Sequence, residues 1–264
     1  MAASQIRLVA FDLAGTTIDF GSRAPAGVFV ELFARHGVTV SEAEARGPMG
    51  TAKRDHIAAL AALPRVAEEW RNAHGGRSAG MAEIDELYAE FIPLQLESLP
   101  AFGDLVPGTA EAFQALRAAG ICVAATTGYD TAMTKVVLEA AGRQGFVPDA
   151  AICASDVAAG RPAPWMLFRA MEATNVWPPA AVVAVGDTIA DVQAGRNAGV
   201  WSVGVTATGN MLGLSLQAHD ALAPAERAAR LAAAREAMLA AGAHAVVESV
   251  ADVPRLVSTL TGTP

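Results

Sequence analysis

Four groups of polar residues in this sequence each follow an apolar run with the length of a buried strand. They are Asp12 with Gly15, Thr16 and Thr17; residues 126–129; Gly160 with Arg161; and Asp187 with Asp191. Hydroxyls and a glycine amide can donate to a phosphate, and a guanidinium can neutralise its charge through forked hydrogen bonds. Two carboxylates four residues apart suit a hard cation such as Mg²⁺. Any one group has an ordinary reading as a turn, an N-cap or a surface arginine, but the four in succession indicate one phosphate-handling site.

The strands that would position these groups alternate with helices along most of the chain. Residues 6–11 form the first apolar run, and further strands are predicted over 121–126, 149–153, 181–185 and 200–205. Helices are predicted over 108–119, 130–141, 162–175, 188–198 and 221–241. This alternation is typical of a parallel sheet with helices on both faces. We therefore expect an α/β, Rossmann-like core whose ligands bind at the carboxyl ends of the strands.

Between about residues 24 and 104 the apolar spacing is helical throughout. Ser41 and Glu44 have the spacing of a capping box, and Thr51 is a candidate N-cap for a helix that runs to Leu63. Another long helix is predicted over 81–99.

A helical stretch inserted after the first strand predicts a separate cap domain. We place this cap over residues 22–103 and the core over 1–21 and 104–264. The segments near 19–24 and 100–107 are rich in Gly, Pro and small residues, so they are the predicted hinges along which the cap closes on the core.

The ordered set of strand-end residues resembles the haloacid dehalogenase superfamily, and the resemblance covers the whole chain, including the helical insertion. It implies that Asp12 attacks phosphorus to form an aspartyl-phosphate, and that Arg161 balances the charge of the phosphoryl group. Thr127 and Gly128 would bind phosphate. The implied Mg²⁺ site is formed by Asp12, the backbone carbonyl of Ala14, Asp187 and Asp191.

Position 14 departs from the pattern of the superfamily's phosphatases. They carry a second aspartate two residues after the nucleophile, which protonates the leaving alkoxide and later activates water. The side chain of Ala14 has no proton to donate. The chain is therefore either inactive, or it acts on a substrate whose leaving group does not need that acid.

Lys53 and His56 in the helical insertion offer a different chemistry. Lysine is scarce, since only Lys53 and Lys135 are found among the 19 basic residues. Lys53 falls in the first turn of a predicted helix, where the partial positive charge lowers the pKa of an amine and favours its neutral, nucleophilic form. His56 lies three residues further on the same face and could move protons. The plain alternative is a solvated lysine beside a surface histidine.

The combination of Asp12, Ala14, Lys53 and Arg161 resembles the phosphonatase family within this superfamily. The match extends to further stretches of the sequence, over residues 12–17, 48–50, 126–129, 160–165 and 195–199. This resemblance is more specific than that to the superfamily, because the lysine of the cap belongs to the phosphonatases and not to general phosphatases.

The phosphonatase resemblance implies hydrolysis of the carbon–phosphorus bond of phosphonoacetaldehyde to acetaldehyde and phosphate, in the degradation of 2-aminoethylphosphonate. Lys53 would form a Schiff base with the aldehyde, so that the carbon leaves as a neutral enamine when Asp12 takes the phosphoryl group. Met49 and Gly50 would contact the substrate, and either His56 or Lys53 would activate the hydrolytic water. The resemblance also implies a homodimer formed through the cap domains.

Two other functions stay open at this point. A phosphomonoesterase or phosphomutase on the same fold is disfavoured by Ala14, which cannot protonate an alkoxide. A catalytically inert binding protein is disfavoured because Asp12, Lys53 and both Asp187 and Asp191 are retained.

Composition narrows the range of partners. The formal net charge is −8, and no basic face of the kind that nucleic-acid-binding domains carry is evident. No run of about 18 apolar residues predicts a membrane span, and the N-terminal residues lack the pattern of a secretory signal. Cys122 and Cys153 lie in apolar runs, which is typical of buried thiols in a reducing compartment. We expect a cytoplasmic enzyme that binds a small phosphonate, with neither nucleic acid nor membrane as a partner.

Overall fold

The centre of the molecule is a parallel sheet. The computed structural model describes residues 6–264, and within them the strands are β1 Leu8–Asp12, β2 Cys122–Thr127, β3 Ala150–Cys153, β4 Val182–Gly186, β5 Trp201–Val205 and β6 Ala245–Val247. Their order across the sheet is β3-β2-β1-β4-β5-β6, and every pairing is parallel. The predicted α/β class is therefore confirmed.

Both faces of the sheet are buried, as the continuous apolar strands require. In β1, Val9 and Phe11 belong to one hydrophobic cluster, whereas Leu8 and Ala10 belong to another. Beyond residue 104 the described chain has seven α-helices: α6 Thr109–Ala118, α7 Thr131–Arg143, α8 Trp165–Thr174, α9 Ile189–Ala198, α10 Leu216–Asp220, α11 Pro224–Ala240 and α12 Val253–Val257. Helices α6 and α7 contribute to the first cluster, and α8 and α9 contribute to the second.

The register of the central strands brings the predicted strand-end residues to one edge. Asp12 is paired with Thr126 of β2, and Phe11 is paired with Val185 of β4. Asp187 follows the last residue of β4, so it leaves the sheet at the level of Asp12. The carboxyl ends of β1, β2 and β4 therefore meet at one place.

The helical insertion, residues 22–103, lies between β1 and β2 in the chain. Its helices are α1 Arg23–Arg35, α2 Glu42–Arg46, α3 Lys53–Ala61, α4 Pro64–Ala73 and α5 Met81–Ser98. Phe29 of α1 is fully buried and stacks on His56 of α3 and on Phe91 of α5, with ring centroids 3.8 Å and 4.6 Å apart. This aromatic stack fixes α3, and hence its first residue Lys53, against the rest of the insertion.

Several predicted boundaries need correction. Thr51 does not cap α3: the N-cap position is Ala52, and the Thr51 hydroxyl donates instead to the carbonyl of Pro48 at 2.7 Å. The helix predicted from residue 162 begins only at Trp165, because Ala163 closes a turn onto the carbonyl of Gly160. The capping box of Ser41 and Glu44 is confirmed. Strand β6 and helices α10 and α12 were not predicted, since each is only three to five residues long. Helix α4 lies in the stretch predicted as helical over about 24–104, although its bounds were not predicted.

The division into core and cap stays a prediction, and residues 1–5 of the predicted core segment 1–21 lie outside the described residues. Over the described part of the chain, no helix combines the length and the apolar character that crossing a membrane requires.

We expect Phe29→Ala to destabilise the protein by about 3–5 kcal/mol, because truncating a fully buried aromatic ring removes its contacts and leaves a cavity. The matched control is Met81→Ala, whose side chain is 76% exposed and whose loss should change the free energy of unfolding by less than about 0.5 kcal/mol. Urea titration followed by circular dichroism measures both. Equal midpoints for the two variants would show that the stack does not hold the insertion together.

Candidate active site

Three aspartates form a buried cluster where the central strands end. Asp12 closes β1, Asp187 follows β4, and Asp191 lies in the first turn of α9. One carboxylate oxygen of each lies within 4.8 Å of those of the other two. Their exposures are 6%, 0% and 8%, so water screens their mutual repulsion poorly. Such a cluster of hard oxygen donors can hold a metal ion.

The Arg161 guanidinium lies inside this cluster. Its Nη1 donates to Oδ1 of Asp12 at 2.6 Å and lies 2.9 Å from Oδ1 of Asp191, while Nη2 donates to the hydroxyl of Thr126 at 2.7 Å. Because the guanidinium is planar and all these partners are buried, the side chain is held in one orientation. Arg161 therefore bridges the ends of β1, β2 and α9.

The cluster carries more negative charge than Arg161 alone balances. Burial raises the pKa of Asp191 to about 6, although the Arg161 charge opposes the shift. Burial also raises the pKa of Asp187 well above its ordinary value, and repulsion from Asp12 and Asp191 adds to the rise. A divalent cation would relieve this repulsion. The donor set, three carboxylates without nitrogen or sulfur ligands, fits such a hard cation.

Two hydrogen bonds orient the carboxylate of Asp187. The hydroxyl of Thr16 donates to its Oδ1 at 3.2 Å, and the backbone N–H of Asn210 donates to its Oδ2 at 2.7 Å. The side chain packs so tightly that a Cβ at Gly15, where φ is +87°, would overlap its Oδ2. Position 15 therefore requires glycine for two reasons: the Asp187 side chain lies too close for a Cβ, and φ is positive.

Lys53 is the first residue of α3, as predicted, and is buried with 6% exposure. Its Nζ lies 5.1 Å from the ring centre of Tyr129 and 5.8 Å from that of Phe29. Burial lowers the pKa of Lys53 to about 8, against the opposing charge of Asp12. The plain alternative of a solvated lysine is therefore wrong, and the neutral amine is within reach near neutral pH.

His56 is also fully buried, one turn further along α3. Its Nε2 lies 2.8 Å from the carbonyl of Ala45. Since a carbonyl only accepts, Nε2 carries the proton and Nδ1 presents a lone pair; within residues 6–264 that Nδ1 has no hydrogen-bond partner. Burial, and then the charge of Lys53, hold the pKa of His56 well below its ordinary value. The ring is therefore a neutral acceptor, and its role in moving protons stays a prediction.

The loop before α3 lies directly against the carboxyl end of the sheet. Gly128 packs so closely on the carbonyl of Thr51 that a Cβ would lie 2.6 Å from it. Gly50, with φ of +89°, packs on the side chain of Thr188, and Met49 is 4% exposed. The insertion therefore touches the core at the same place as the acidic cluster.

The remaining predicted site residues are Thr127, the last residue of β2, and Ala14, two residues after the end of β1. The Thr127 side chain is 3% exposed, and its hydroxyl accepts from the backbone N–H of Tyr129 at 3.1 Å. Ala14 lies in the turn after Asp12, bridged to Ile18. Their roles toward phosphate and metal stay predictions.

Three residues make contacts in the site that the sequence did not predict. Thr126 and Thr16 lie in motifs that were expected to donate hydroxyls to phosphate. In the structure the Thr126 hydroxyl accepts from Arg161, and the Thr16 hydroxyl donates to Asp187. Asn210 stands 23 residues beyond Asp187, and no local pattern connects the two.

Known proteins match this chain over nearly its full length. A sequence model described as haloacid dehalogenase-like hydrolase matches residues 6–199. The phosphonoacetaldehyde hydrolase of Paraburkholderia phytofirmans is 43% identical over 248 residues, 94% of this chain and 92% of that protein. That of Bacillus cytotoxicus is 38% identical over 96% of each. The crystal structure of a phosphonoacetaldehyde hydrolase-like protein from Oleispira antarctica is 37% identical, with a TM-score of 0.95 over 98% of this chain and 94% of that one.

The matched relatives therefore span the sheet, the acidic cluster and the helical insertion alike. Identity of about two-fifths over almost the whole chain indicates common descent as well as a common fold. The chain is a hydrolase that belongs to the haloacid dehalogenase-like hydrolases and, within them, to the phosphonoacetaldehyde hydrolase family.

Proposed function

We propose that this protein hydrolyses the carbon–phosphorus bond of phosphonoacetaldehyde to acetaldehyde and phosphate, in the degradation of 2-aminoethylphosphonate. One observation carries the proposal: a buried amine, Lys53, whose pKa is lowered toward neutrality, faces an acidic cluster that has Ala14 where phosphatases have their acid. The relatives from Paraburkholderia phytofirmans and Bacillus cytotoxicus are named phosphonoacetaldehyde hydrolase, which supports the same substrate.

The first step is condensation of the neutral Lys53 amine with the aldehyde, which releases water and leaves an iminium. The pKa of about 8 makes a useful fraction of the amine neutral near pH 7. The rings of Tyr129 and Phe29, 5.1 Å and 5.8 Å from Nζ, stabilise the iminium cation through their π faces.

In the second step a carboxylate oxygen of Asp12 attacks phosphorus. The electron pair of the breaking carbon–phosphorus bond moves into the new carbon–carbon double bond, and the iminium nitrogen becomes a neutral enamine nitrogen. Arg161, Thr127 and Gly128 bind the phosphoryl oxygens and stabilise their charge. The leaving carbon needs no proton in this step, so Ala14 suffices where an alkoxide would require an acid.

In the third step water hydrolyses the aspartyl-phosphate, which restores Asp12 and releases phosphate. The enamine takes a proton on its terminal carbon, and hydrolysis of the resulting iminium frees acetaldehyde and Lys53. The candidates for the base that activates water are the Nδ1 lone pair of His56 and, if acetaldehyde leaves before the aspartyl-phosphate is hydrolysed, the freed amine of Lys53.

The cation in this proposal is Mg²⁺, held by Asp12, Asp187, Asp191 and the backbone carbonyl of Ala14. When bound, it would neutralise carboxylate and phosphonate charge and allow the anionic nucleophile to approach an anionic substrate. Burial raises the pKa of both Asp187 and Asp191, and repulsion from the other two carboxylates adds to the rise at Asp187. Both effects support a divalent cation at this place. A homodimer formed through residues 22–103 and a cytoplasmic location complete the proposal.

The purified protein should release phosphate from phosphonoacetaldehyde with Mg²⁺ and lose that activity in excess chelator. Alkyl phosphates should react at least about 10²–10⁴-fold more slowly in kcat/KM, because that factor is the typical worth of general acid catalysis. The measurement compares phosphonoacetaldehyde with several sugar phosphates under identical conditions. A sugar phosphate turned over as fast as the phosphonate would favour the phosphatase alternative, and activity undiminished by chelator would remove the metal from the mechanism.

Lys53→Arg should abolish turnover although it keeps the charge, because a guanidinium does not form a Schiff base. Borohydride added with substrate should trap a covalent adduct on Lys53, identified by peptide mass spectrometry. Lys135→Arg is the matched control, since Lys135 is an exposed residue of α7, and it should retain activity and the adduct. An adduct on Lys135, or turnover by Lys53→Arg, would contradict the Schiff base.

The pH profile should report the depressed pKa of Lys53. Below about pH 8 the amine is protonated, so kcat/KM should fall about tenfold per pH unit as the pH decreases, and above about pH 8 the profile should level. The charged groups that act on the amine are Asp12, Asp19, Asp187 and Arg161. A profile that continues to rise toward pH 10 would contradict the lowered pKa of Lys53.

A further inference from the structure

Arg46, the last residue of α2, connects the helical insertion to the core. Its Nη1 donates to the carbonyl of Gly21 at 2.8 Å and to Oδ1 of Asn210 at 3.2 Å, and its Nη2 donates to the carbonyl of Gly213 at 3.1 Å. Nη2 also pairs with Glu42 one turn back in α2 at 2.8 Å. With only 13% of its side chain exposed, Arg46 is held between the insertion, the predicted hinge and the 209–213 loop.

Both polar atoms of the Asn210 side-chain amide form hydrogen bonds with Arg46. Its Oδ1 accepts from the guanidinium, and its Nδ2 donates to the backbone carbonyl of Arg46 at 3.1 Å. The backbone N–H of the same residue donates to Oδ2 of Asp187 at 2.7 Å. One residue therefore touches both the insertion and a carboxylate of the acidic cluster.

The loop that carries Asn210 is closely packed between Asp187 and Arg46. A Cβ at Gly209 would overlap the side chain of Asp187, and a Cβ at Gly213, where φ is +65°, would lie 2.6 Å from Nε of Arg46. The loop therefore packs directly against both Arg46 and Asp187, and it carries the backbone N–H that donates to Asp187.

A crevice of about 500 Å³ lies beside this contact, between the two parts of the chain. The insertion lines one side with residues that include Arg46 and Met49, and the core lines the other with Thr188 and Asn210. Opening this crevice would separate Arg46 from Asn210, since they stand on opposite walls.

We propose that Arg46 and Asn210 form a latch that couples closure of the insertion to the orientation of Asp187. They are positioning residues: neither is assigned to the substrate, and both act through the Asp187 carboxylate. The inference rests on the metal role given to Asp187 under the proposed function. Because coupling is reciprocal, a cation held by a correctly oriented Asp187 favours the closed insertion, and closure strengthens binding of the cation.

The test compares Arg46→Met with Arg65→Met. Arg65 is a second arginine of the insertion, with 45% of its side chain exposed, and its partners Glu44, Glu69 and the Thr39 carbonyl all lie within the insertion. Calorimetric titration with Mg²⁺ in the presence of inorganic phosphate should give an affinity about 10–100-fold weaker for Arg46→Met, the range expected for losing an outer partner of a metal ligand. Arg65→Met should bind Mg²⁺ as the wild-type protein does.

Amide hydrogen exchange measured without metal gives a second readout. Exchange at residues 208–213 should be about tenfold faster in Arg46→Met and unchanged in Arg65→Met. Asn210→Ala should weaken Mg²⁺ binding as Arg46→Met does, and the double variant should be no worse than either, because both remove the same connection. Arg46→Lys, which keeps the charge and not the forked contacts, serves if Arg46→Met does not fold.

Equal Mg²⁺ affinity and equal exchange in the two arginine variants would overturn the latch, as would additive effects of Arg46→Met and Asn210→Ala. A wild-type protein that binds no Mg²⁺ would overturn the metal part of the proposed function instead. In that case the exchange rates at residues 208–213 still decide whether Arg46 holds the loop.

Discussion

The constraint on which the rest of the structure depends is the burial of three carboxylates around one guanidinium. Asp12, Asp187 and Asp191 are each less than 9% exposed, so folding has to replace the water that would otherwise solvate them. Arg161 supplies part of the replacement, and hydroxyl and backbone donors supply more. The charge still left uncompensated is what makes the cluster receptive to a cation and to a phosphoryl group whose own charge that cation can balance.

A parallel sheet is suited to building such a cluster because each strand delivers one group to the same edge. β1 carries Asp12, β2 carries Thr126, and β4 leads to Asp187, and the register keeps them level. The apolar faces of the sheet hold these ends rigidly, so small donors such as Thr16 can fix carboxylate rotamers. The sheet alone does not provide an amine, and Lys53 comes from a helix of the insertion.

The separation of the site residues between the sheet and the insertion explains which features the sequence predicted. The first five strands along the chain and the chemistry at their ends were predictable because apolar runs mark the strands and parallel strands end together. The order of the strands across the sheet was not predicted. Lys53 at a helix start was predictable from the loop before it. The cap of that helix was not, because α3 begins one residue later than a Thr51 cap requires, with Ala52 at the N-cap position, and the Thr51 hydroxyl donates to the Pro48 carbonyl. Arg46 and Asn210 were beyond reach, since contacts between residues 164 positions apart leave no local period.

Ala14 and Lys53 are best understood as one adaptation. Where an alkoxide leaves, an aspartate at position 14 is useful despite its charge. Here a fourth carboxylate beside Asp12 would add repulsion to a cluster in which burial, and then the charges of Asp12 and Asp191, already raise the pKa of Asp187. In the proposed reaction the leaving group is an enamine, which needs no acid at position 14, and the electron sink is an amine on the insertion. The proposed nucleophile and the proposed sink therefore stand on different parts of the chain, and the proposed reaction requires both parts to be in contact.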